Sequence, residues 1–398
     1  MSASSRGNLL VVHGGGPTPV INASLYGVIR EAVGSGKVDR VLGAAHGAQG
    51  LLDERLIDLT ALDAETLEAV RVSPGSALGS SRHKLSEGQA GQILDLCRRH
   101  DVRWFLGTGG NDTMANCLQL HQQCDAPGEP VTVVGVPKTI DNDLAETDHC
   151  PGYGSAARYL AQSVRDLCCD VSALPTPVSI LETMGRNTGW LCAATALGRE
   201  SEGDGPHLIY VPEKAFDPEE FLASVKEAVD AIGWAVIAVS EGLCDASGRP
   251  VAESAAAAQT DPFGHALPGG VGASLSELVA DRLSLRCRCE KPGLLGRSSR
   301  ALASDVDRAE AEAVGAEAVR RALAGEGGVM ITLTAERGDE YRWGTGTVAL
   351  ERVANVEKVM PDAFLSDGRP DVTASFIDYA RPLIGDDLLS HQDVRPKP

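Results

Sequence analysis

The stretch Val131-Thr132-Val133-Val134-Gly135-Val136-Pro137-Lys138-Thr139-Ile140-Asp141-Asn142-Asp143 decides the fold of this chain. It begins as an apolar run of the kind found in strands that are buried on both faces of a parallel sheet. One cation and two carboxylates follow directly after that run. A buried strand does not need such a polar end, and in open α/β sheets ligands bind beyond the carboxyl ends of the strands. We therefore expect a parallel sheet with a ligand site where this strand ends.

The same pattern, an apolar run with a polar or glycine-rich end, recurs along the chain. Further runs lie at residues 9–12, 102–106, 178–181, 207–211, 235–239 and 328–333. Helical patterns begin near Asn22 and Gly154. Strands that alternate with helices imply mostly parallel sheets. The pattern predicts an α/β fold.

Composition narrows the class of protein and its partners. The chain has 398 residues, of which 43% are hydrophobic and 23% charged, as in ordinary globular proteins of roughly two or three domains. A net charge of −19 argues against nucleic acid and anionic membranes as partners. Ten cysteines without a CxxC pair, and no signal peptide or membrane-length apolar run, predict reduced thiols in a cytoplasmic protein.

The polar end of the first stretch carries the groups that phosphoryl transfer requires. The reaction needs a base for the attacking hydroxyl, a cation for the moving charge and an anion to hold Mg²⁺. Asp141 is the candidate base, Lys138 would neutralise charge on the transferred group, and Asp143 would hold or orient Mg²⁺ and water. The alternative is a polar loop without chemistry.

Two glycine turns add possible phosphate and metal contacts. Gly14-Gly15-Gly16 precedes a helical pattern, and backbone N–H groups ahead of a helix favour phosphate. Gly109-Gly110-Asn111-Asp112-Thr113 carries an amide that can reach Mg²⁺ through its oxygen. Tight turns and helix N-caps are the alternatives. The sequence contains no GxxxxGK[ST], so a P-loop is excluded.

Other strand ends offer ligands for an anionic sugar. Arg186, after Met184-Gly185, would bind a phosphate or hydroxyl, and Glu241 would accept hydrogen bonds from hydroxyls. Arg82 lies in a hydroxyl-rich loop that suits a phosphate clamp. A local basic cluster follows later in this acidic chain, and solvated surface positions are the alternative for each of these residues. The cluster comprises Arg286, Arg288, Arg297 and Arg300.

Taken together, these motifs resemble the phosphofructokinase family, and more closely its pyrophosphate-dependent branch. The resemblance runs from Leu9 to about Leu388 and is carried by residues 14–24, 79–85, 109–113, 137–143, 182–190 and 240–242. It implies two doubly wound, mostly parallel-sheet domains facing a cleft. The donor-binding domain would comprise residues 1–150 with about 297–345. The sugar-phosphate-binding domain would comprise residues 151–296 with about 346–398.

The resemblance also implies an activity, which is reversible, Mg²⁺-dependent transfer of phosphate from pyrophosphate to the C1 hydroxyl of fructose 6-phosphate. Asp141 matches the proton acceptor, and Lys138, Asp112 and Arg186 complete the catalytic set. The implied donor ligands are Gly15, Arg82, Gly110, Asp112 and Lys138, and the implied metal ligands are Asn111 and Asp143. The implied sugar-phosphate ligands are Thr139, Ile140, Asp141, Met184, Gly185, Arg186, Glu241, Arg288 and Arg297.

Several positions separate this chain from other members of the family. Asp112 stands where ATP-using members have glycine, and a carboxylate there would occupy and repel the space of the nucleotide α-phosphate. Asn111 replaces the usual metal-binding aspartate. Pro177 replaces an arginine that many members contribute across a subunit interface, and Leu294 replaces a sugar-binding histidine of ATP-type members.

Three alternatives to the implied activity remain open at this point. One is an ATP-dependent 6-phosphofructokinase, and another is a pyrophosphate-dependent kinase of a different sugar phosphate, such as sedoheptulose 7-phosphate. A third is a catalytically silent sugar-phosphate-binding regulatory protein. The family resemblance further implies a cytoplasmic homodimer or homotetramer without nucleic-acid or membrane partners.

Overall fold

The computed structural model describes residues 6–124, 131–174, 177–201, 203–252, 270–338 and 340–392. The strands are β1 (Gly7–His13), β2 (Val38–Ala44), β3 (Leu56–Asp58), β4 (Val102–Gly109), β5 (Thr132–Pro137), β6 (Val178–Thr183), β7 (Leu208–Tyr210), β8 (Ala235–Ser240), β9 (Cys287–Glu290), β10 (Val329–Glu336) and β11 (Arg342–Ala349). The α-helices are α1 (Ile21–Ser35), α2 (Gly47–Leu52), α3 (Ala64–Arg71), α4 (Glu87–Arg99), α5 (Asn111–Cys124), α6 (Tyr153–Ala173), α7 (Trp190–Ala194), α8 (Pro218–Ile232), α9 (Val271–Leu283), α10 (Asp305–Leu323) and α11 (Ala374–Ala380).

The chain divides into two compact units. Unit 1 comprises Met1–Tyr153 and Arg297–Lys358, and unit 2 comprises Gly154–Gly296 and Val359–Pro398. The second segment of unit 1 extends beyond the boundary near residue 345 expected from the sequence. It does so because β11 pairs with β10 as far as Ala349, and because Glu357 then pairs with Leu144.

Unit 1 is built on a seven-stranded sheet of order β11-β10-β5-β4-β1-β2-β3. Its five central strands are parallel, and the two outermost strands, β11 and β3, run antiparallel to their neighbours. The parallel register places His13 beside Thr108, and Gly109 beside Pro137. The carboxyl ends of β1, β4 and β5 therefore meet at one edge of the sheet.

Both faces of this sheet are buried, as the continuous apolar runs predict. Leu10 packs with one core cluster and Leu9 with another, so alternate residues of β1 serve opposite faces. On one face α1 and α10 approach so closely that a Cβ atom on Gly27 would lie 2.1 Å from the carbonyl oxygen of Glu312. Burial of each of these aliphatic side chains stabilises the folded protein by about 1.5–3 kcal/mol. The sheet is therefore a rigid base for the polar ends of its strands.

Unit 2 is built on a four-stranded parallel sheet of order β7-β8-β6-β9. The few aromatic residues of the chain are concentrated here. Trp190 lies against Phe364 and Tyr379, with ring centroids 5.9 Å and 5.3 Å apart, which fixes the last part of the chain to α7. Two mostly parallel sheets covered by helices confirm the α/β fold class. None of the helices among the described residues combines the length and the apolar character needed to span a membrane.

Candidate active site

Lys138, the residue after β5, is a buried cation with 3% of its surface exposed. Its backbone N–H donates to the carbonyl oxygen of Gly109 at 3.0 Å. Its Nζ donates to the carbonyl oxygen of Gly16 at 2.6 Å. Burial, together with nearby Arg297, lowers the pKa of Lys138 to about 8, against the opposing effect of Asp141 and Asp143. A positive charge is thus held among the ends of β1, β4 and β5.

The glycine turn after β1 brings backbone close to these cations. Gly15 has a φ of 74°, and a Cβ atom there would lie 3.4 Å from Nζ of Lys138. A Cβ atom on Gly16 would lie 2.3 Å from a guanidinium nitrogen of Arg297. The amides of Gly14 and Gly15 donate to the carbonyl oxygens of Thr108 (2.8 Å) and Ser81 (3.0 Å). Those two amides therefore tie neighbouring segments together in this structure.

Arg82 and Arg297 join Lys138 to form a group of cations, and Asp141 lies near Lys138 and Arg297. Burial, followed by the neighbouring charge of Arg82, lowers the pKa of Arg297, while Asp141 acts in the opposite direction. The sequence predicted Arg297 as a sugar-phosphate ligand, and the structure groups it with the glycine turn and Lys138. In a chain of net charge −19, this local basic group is the feature expected of a site for an anion.

The loop that carries the two aspartates is buried and ordered. The Thr139 hydroxyl accepts a hydrogen bond from the backbone N–H of Asp141 at 3.1 Å. The Thr139 backbone N–H donates to the carbonyl oxygen of Pro151 at 3.2 Å, and Ile140 is buried. Asn142 lies between the aspartates with a φ of 56°. Side chains on this loop are thus held at the end of β5.

Asn111 and Asp143 are brought together, as the sequence predicted for metal ligands. The Asn111 amide nitrogen donates to one Asp143 carboxylate oxygen at 3.2 Å. The remaining oxygens, Oδ1 of Asn111 and Oδ1 of Asp143, are buried and accept no hydrogen bond from any residue that the structure describes. Buried polar atoms are normally satisfied, so these two oxygens fit a divalent cation. Burial raises the pKa of Asp143, although its hydrogen bond with Thr139 acts in the opposite direction.

No group of three or more His, Cys, Asp or Glu side chains among the described residues could hold a metal ion. A two-ligand site of this kind suits Mg²⁺, which keeps several waters and uses one or two protein ligands with substrate phosphates. Gly110 and Asp112 flank Asn111 at the start of α5. Asp112 is half-buried in the first turn of that helix.

Unit 2 collects its own polar residues at the carboxyl ends of β6 and β8. Gly185 has a φ of 123°, and its carbonyl oxygen accepts a hydrogen bond from the Ser240 hydroxyl. The Glu241 backbone N–H donates to Thr183 at 3.0 Å. Met184 and Arg186 flank Gly185, and the buried Nε atom of Arg186 has no hydrogen-bond partner among the described residues. The structure therefore brings the predicted residues Met184, Gly185, Arg186 and Glu241 together.

Arg288 is not part of that group. It lies in β9 and pairs with Ser179, near the start of β6, whereas Met184 follows the end of β6. Its side chain is exposed. Pro177 lies at this same end of the sheet, where its carbonyl oxygen accepts a hydrogen bond from Ala235 at 2.6 Å. Within unit 2, Arg288 and Arg186 are thus at opposite ends of one sheet.

Sequence reasoning missed an ion pair beside Glu241, between the buried Glu182 and the exposed Lys291. The carboxylate of Glu182 is 1% exposed and contacts Nζ of Lys291, while its other oxygen accepts a hydrogen bond from Gly272 at 2.8 Å. Lys291 also lies 3.9 Å from the Glu241 carboxylate. Burial raises the pKa of Glu241, and Lys291 opposes that effect. The signal available in the sequence was a carboxylate near the end of a buried strand, Glu182 in β6.

Comparison with known proteins agrees with this geometry. The family model "Phosphofructokinase" matches residues 8–322. A protein of Xanthomonas campestris pv. campestris named pyrophosphate–fructose 6-phosphate 1-phosphotransferase is 44% identical over 96% of this chain and 92% of its own length. A protein of the same name from Rhodospirillum rubrum is 39% identical over 96% of this chain and 95% of its own length.

A solved structure gives the same result for the fold. The pyrophosphate-dependent phosphofructokinase from Marinobacter aquaeolei superposes with a TM-score of 0.87 at 35% sequence identity, covering 98% of this chain and 94% of that one. The family predicted from the motifs is confirmed by the matching model and by these relatives. This chain belongs to the phosphofructokinase family.

Proposed function

We propose that the protein transfers a phosphoryl group reversibly between pyrophosphate and the C1 hydroxyl of fructose 6-phosphate. The observation that carries the proposal is the buried Lys138 held against the Gly16 backbone, with Arg82 and Arg297 nearby. Pyrophosphate is small and highly anionic, and it suits a compact group of cations. The names of the relatives from Xanthomonas campestris and Rhodospirillum rubrum agree with this donor and this acceptor.

In the proposed reaction the C1 hydroxyl oxygen attacks the terminal phosphorus of pyrophosphate. Asp141 takes the proton of that hydroxyl, the bridging P–O bond breaks, and inorganic phosphate leaves with the bond electrons. Lys138, Arg82 and Arg297 would stabilise negative charge on the transferred group and the leaving phosphate. Gly15 and Gly110 would allow close approach of the donor to the backbone.

We propose Asn111 and Asp143 as the ligands of a Mg²⁺ ion, because the Oδ1 atom of each is buried and accepts no hydrogen bond within the described part of the chain. Enzymes that transfer phosphoryl groups typically require a divalent metal, which neutralises phosphate charge when it is bound. Asp112 would act on donor choice. Asp112 follows Asn111 in the first turn of α5, and its carboxylate would repel the additional phosphate of a nucleotide, which pyrophosphate lacks.

Within unit 1, we propose Thr139, Ile140 and Asp141 as sugar-phosphate ligands. Within unit 2, we propose Met184, Gly185, Arg186 and Glu241. Donor binding is assigned to unit 1 and sugar-phosphate binding mainly to unit 2. Because Arg288 and Pro177 share the opposite end of the unit 2 sheet, we assign Arg288 to a site in a second copy of the chain. This assignment requires a homo-oligomer, a dimer or tetramer, and we place the protein in the cytoplasm, where its thiols stay reduced.

The test is a steady-state assay with pyrophosphate, Mg²⁺ and a panel of sugar phosphates. The proposal predicts the largest kcat/KM with fructose 6-phosphate and loss of turnover in Asp141→Ala, with sugar-phosphate binding retained. A larger kcat/KM with sedoheptulose 7-phosphate than with fructose 6-phosphate would make sedoheptulose 7-phosphate the acceptor instead. If the wild type turned over no acceptor, and if the wild type and Asp141→Ala both bound sugar phosphate, the protein would be a catalytically silent binding protein instead.

A further inference from the structure

Lys358, the last residue of unit 1, contacts the aspartate loop although it follows Asn142 by 216 residues. Its backbone N–H donates to the carbonyl oxygen of Asp143 at 2.7 Å. The preceding residue, Glu357, forms an antiparallel bridge with Leu144. A short β-type contact therefore pins the backbone directly after the second aspartate.

The ammonium group of Lys358 contacts the same loop through oxygen atoms of three residues. Its Nζ donates to the carbonyl oxygens of Asp148 at 2.8 Å and Thr147 at 3.2 Å. A third, longer contact of 3.5 Å reaches the side-chain oxygen of Asn142. An ammonium has three donors and no acceptor, so this half-buried side chain is matched by three oxygens from two parts of one loop.

Asn142, which Lys358 contacts, lies between the two aspartates in the sequence. It is fully buried at 0% exposure and adopts a φ of 56°, a conformation that costs energy for residues other than glycine and is most accessible to Asn and Asp. Its side-chain oxygen also accepts a hydrogen bond from the backbone N–H of Cys150 at 3.0 Å. The conformation of Asn142 sets the directions in which Asp141 and Asp143 leave the chain.

The other end of the loop is fixed to the sheet. The Asp148 backbone N–H donates to Leu333 of β10 at 3.0 Å, and its carboxylate forms an ion pair with Arg337 at 2.6 Å. The adjacent His149 is buried and contacts the Glu310 carboxylate at 2.7 Å. Lys358 thus connects a rigid base, at Thr147 and Asp148, to the turn that carries both aspartates.

We propose that Lys358 is a positioning residue for the reaction assigned above, and that it acts by holding the loop of residues 139–150 in the conformation that aims Asp141 and Asp143. The inference rests on the proposed function. Lys358 contacts backbone and the Asn142 side chain, so its effect on the reaction passes through the loop. Displacement of a reacting group by about 1 Å can lower a rate by roughly 10²-fold.

The kinetic test compares Lys358→Met with Lys358→Arg and with a control, Lys37→Met, at an exposed lysine of the same unit. The expected result for Lys358→Met is a kcat lowered by about 10–100-fold, KM values for both substrates within about three-fold of wild type, and a higher Mg²⁺ concentration at half-maximal rate. Lys358→Arg should recover part of the loss, and Lys37→Met should match wild type. Unchanged kcat and Mg²⁺ dependence in a folded Lys358→Met protein would overturn the proposal.

A second measurement does not depend on turnover. Hydrogen exchange, read by mass spectrometry on the whole protein, should show faster exchange in peptides covering residues 139–150 of Lys358→Met, with β6 and β8 peptides unchanged. Equal exchange in that loop would overturn the proposal even if activity fell. Absence of pyrophosphate turnover in the wild type would instead contradict the proposed function, and the exchange result would still decide whether Lys358 holds the loop.

Discussion

Replacing Lys138 by methionine should make the unliganded protein more stable and much less active. The lysine pKa falls from 10.5 to about 8 in the folded protein. At 1.36 kcal/mol for each pH unit, this shift corresponds to roughly 3 kcal/mol of destabilisation at neutral pH. The substitution also removes the hydrogen bond to Gly16, and this loss destabilises the variant by about 1–2 kcal/mol. The expected net stabilisation of Lys138→Met is about 1–2 kcal/mol at pH 7.

The pH dependence of this stability difference has a definite sign. Unfolded Lys138 binds its proton up to a pH near 10.5, whereas folded Lys138 releases it near 8. Because the unfolded state binds more protons between these values, the stability of the wild type rises with pH in that window. The advantage of Lys138→Met should therefore be full at pH 7 and shrink towards pH 10. Urea unfolding of both proteins at several pH values measures it.

Activity should change in the opposite direction. A cation about 4 Å from a developing charge is worth about 4 kcal/mol at an effective dielectric constant near 20. Losing it should lower kcat/KM for pyrophosphate by about 10³-fold. Lys37→Met serves as the exposed control and should leave both quantities unchanged. A Lys138→Met protein that is less stable than wild type at pH 7, or that keeps its pyrophosphate turnover, would refute this reasoning.

The remaining predictions concern the neighbouring carboxylates. Asp141→Asn should lower kcat by about 10³-fold with KM nearly unchanged, because only the proton acceptor is lost, and a retained kcat would remove Asp141 as the base. Asp143→Asn should raise the Mg²⁺ concentration at half-maximal rate by about ten-fold, and Asn111→Asp should lower it, because charge on the ligands sets metal affinity; equal Mg²⁺ titrations would contradict the metal assignment. Asp112→Gly should raise the ratio of ATP to pyrophosphate kcat/KM by at least about ten-fold, since it removes a repulsive charge; an unchanged ratio would exclude Asp112 from donor choice.

Most central strands of both sheets could be predicted from the sequence, and most edge strands could not. Among the exceptions, the edge strand β7 was predicted because it is apolar and fully buried, and the inner strand β2 was missed because it carries the exposed residues Asp39 and Arg40. β1, β4, β5, β6 and β8 are continuous apolar runs because both of their faces are covered. β9 alternates cysteine with charged residues, and β11 contains two glycines and is mostly exposed or half-buried. These two edge strands meet solvent, so their sequences carry no comparable apolar signal.

The candidate site follows the same division between local and distant information. Lys138, Asp141 and Asp143 could be predicted because they are adjacent in sequence to one buried strand. Arg297 lies beside Gly16 through the return of the chain to unit 1, and sequence spacing gave no indication of that contact. Lys358 was missed for the same reason, because a single lysine in a C-terminal segment resembles any surface lysine until its three oxygen partners are seen.

The most direct test of the proposed phosphoryl donor is the ratio of kcat/KM for pyrophosphate to kcat/KM for ATP. Both values are measured with fructose 6-phosphate and Mg²⁺ in one preparation of the wild-type protein. The compact cation group around Lys138, with Asp112 next in sequence to the proposed metal ligand Asn111, predicts a ratio far above one and formation of fructose 1,6-bisphosphate with release of inorganic phosphate. A ratio below one would contradict the assignment of pyrophosphate as donor.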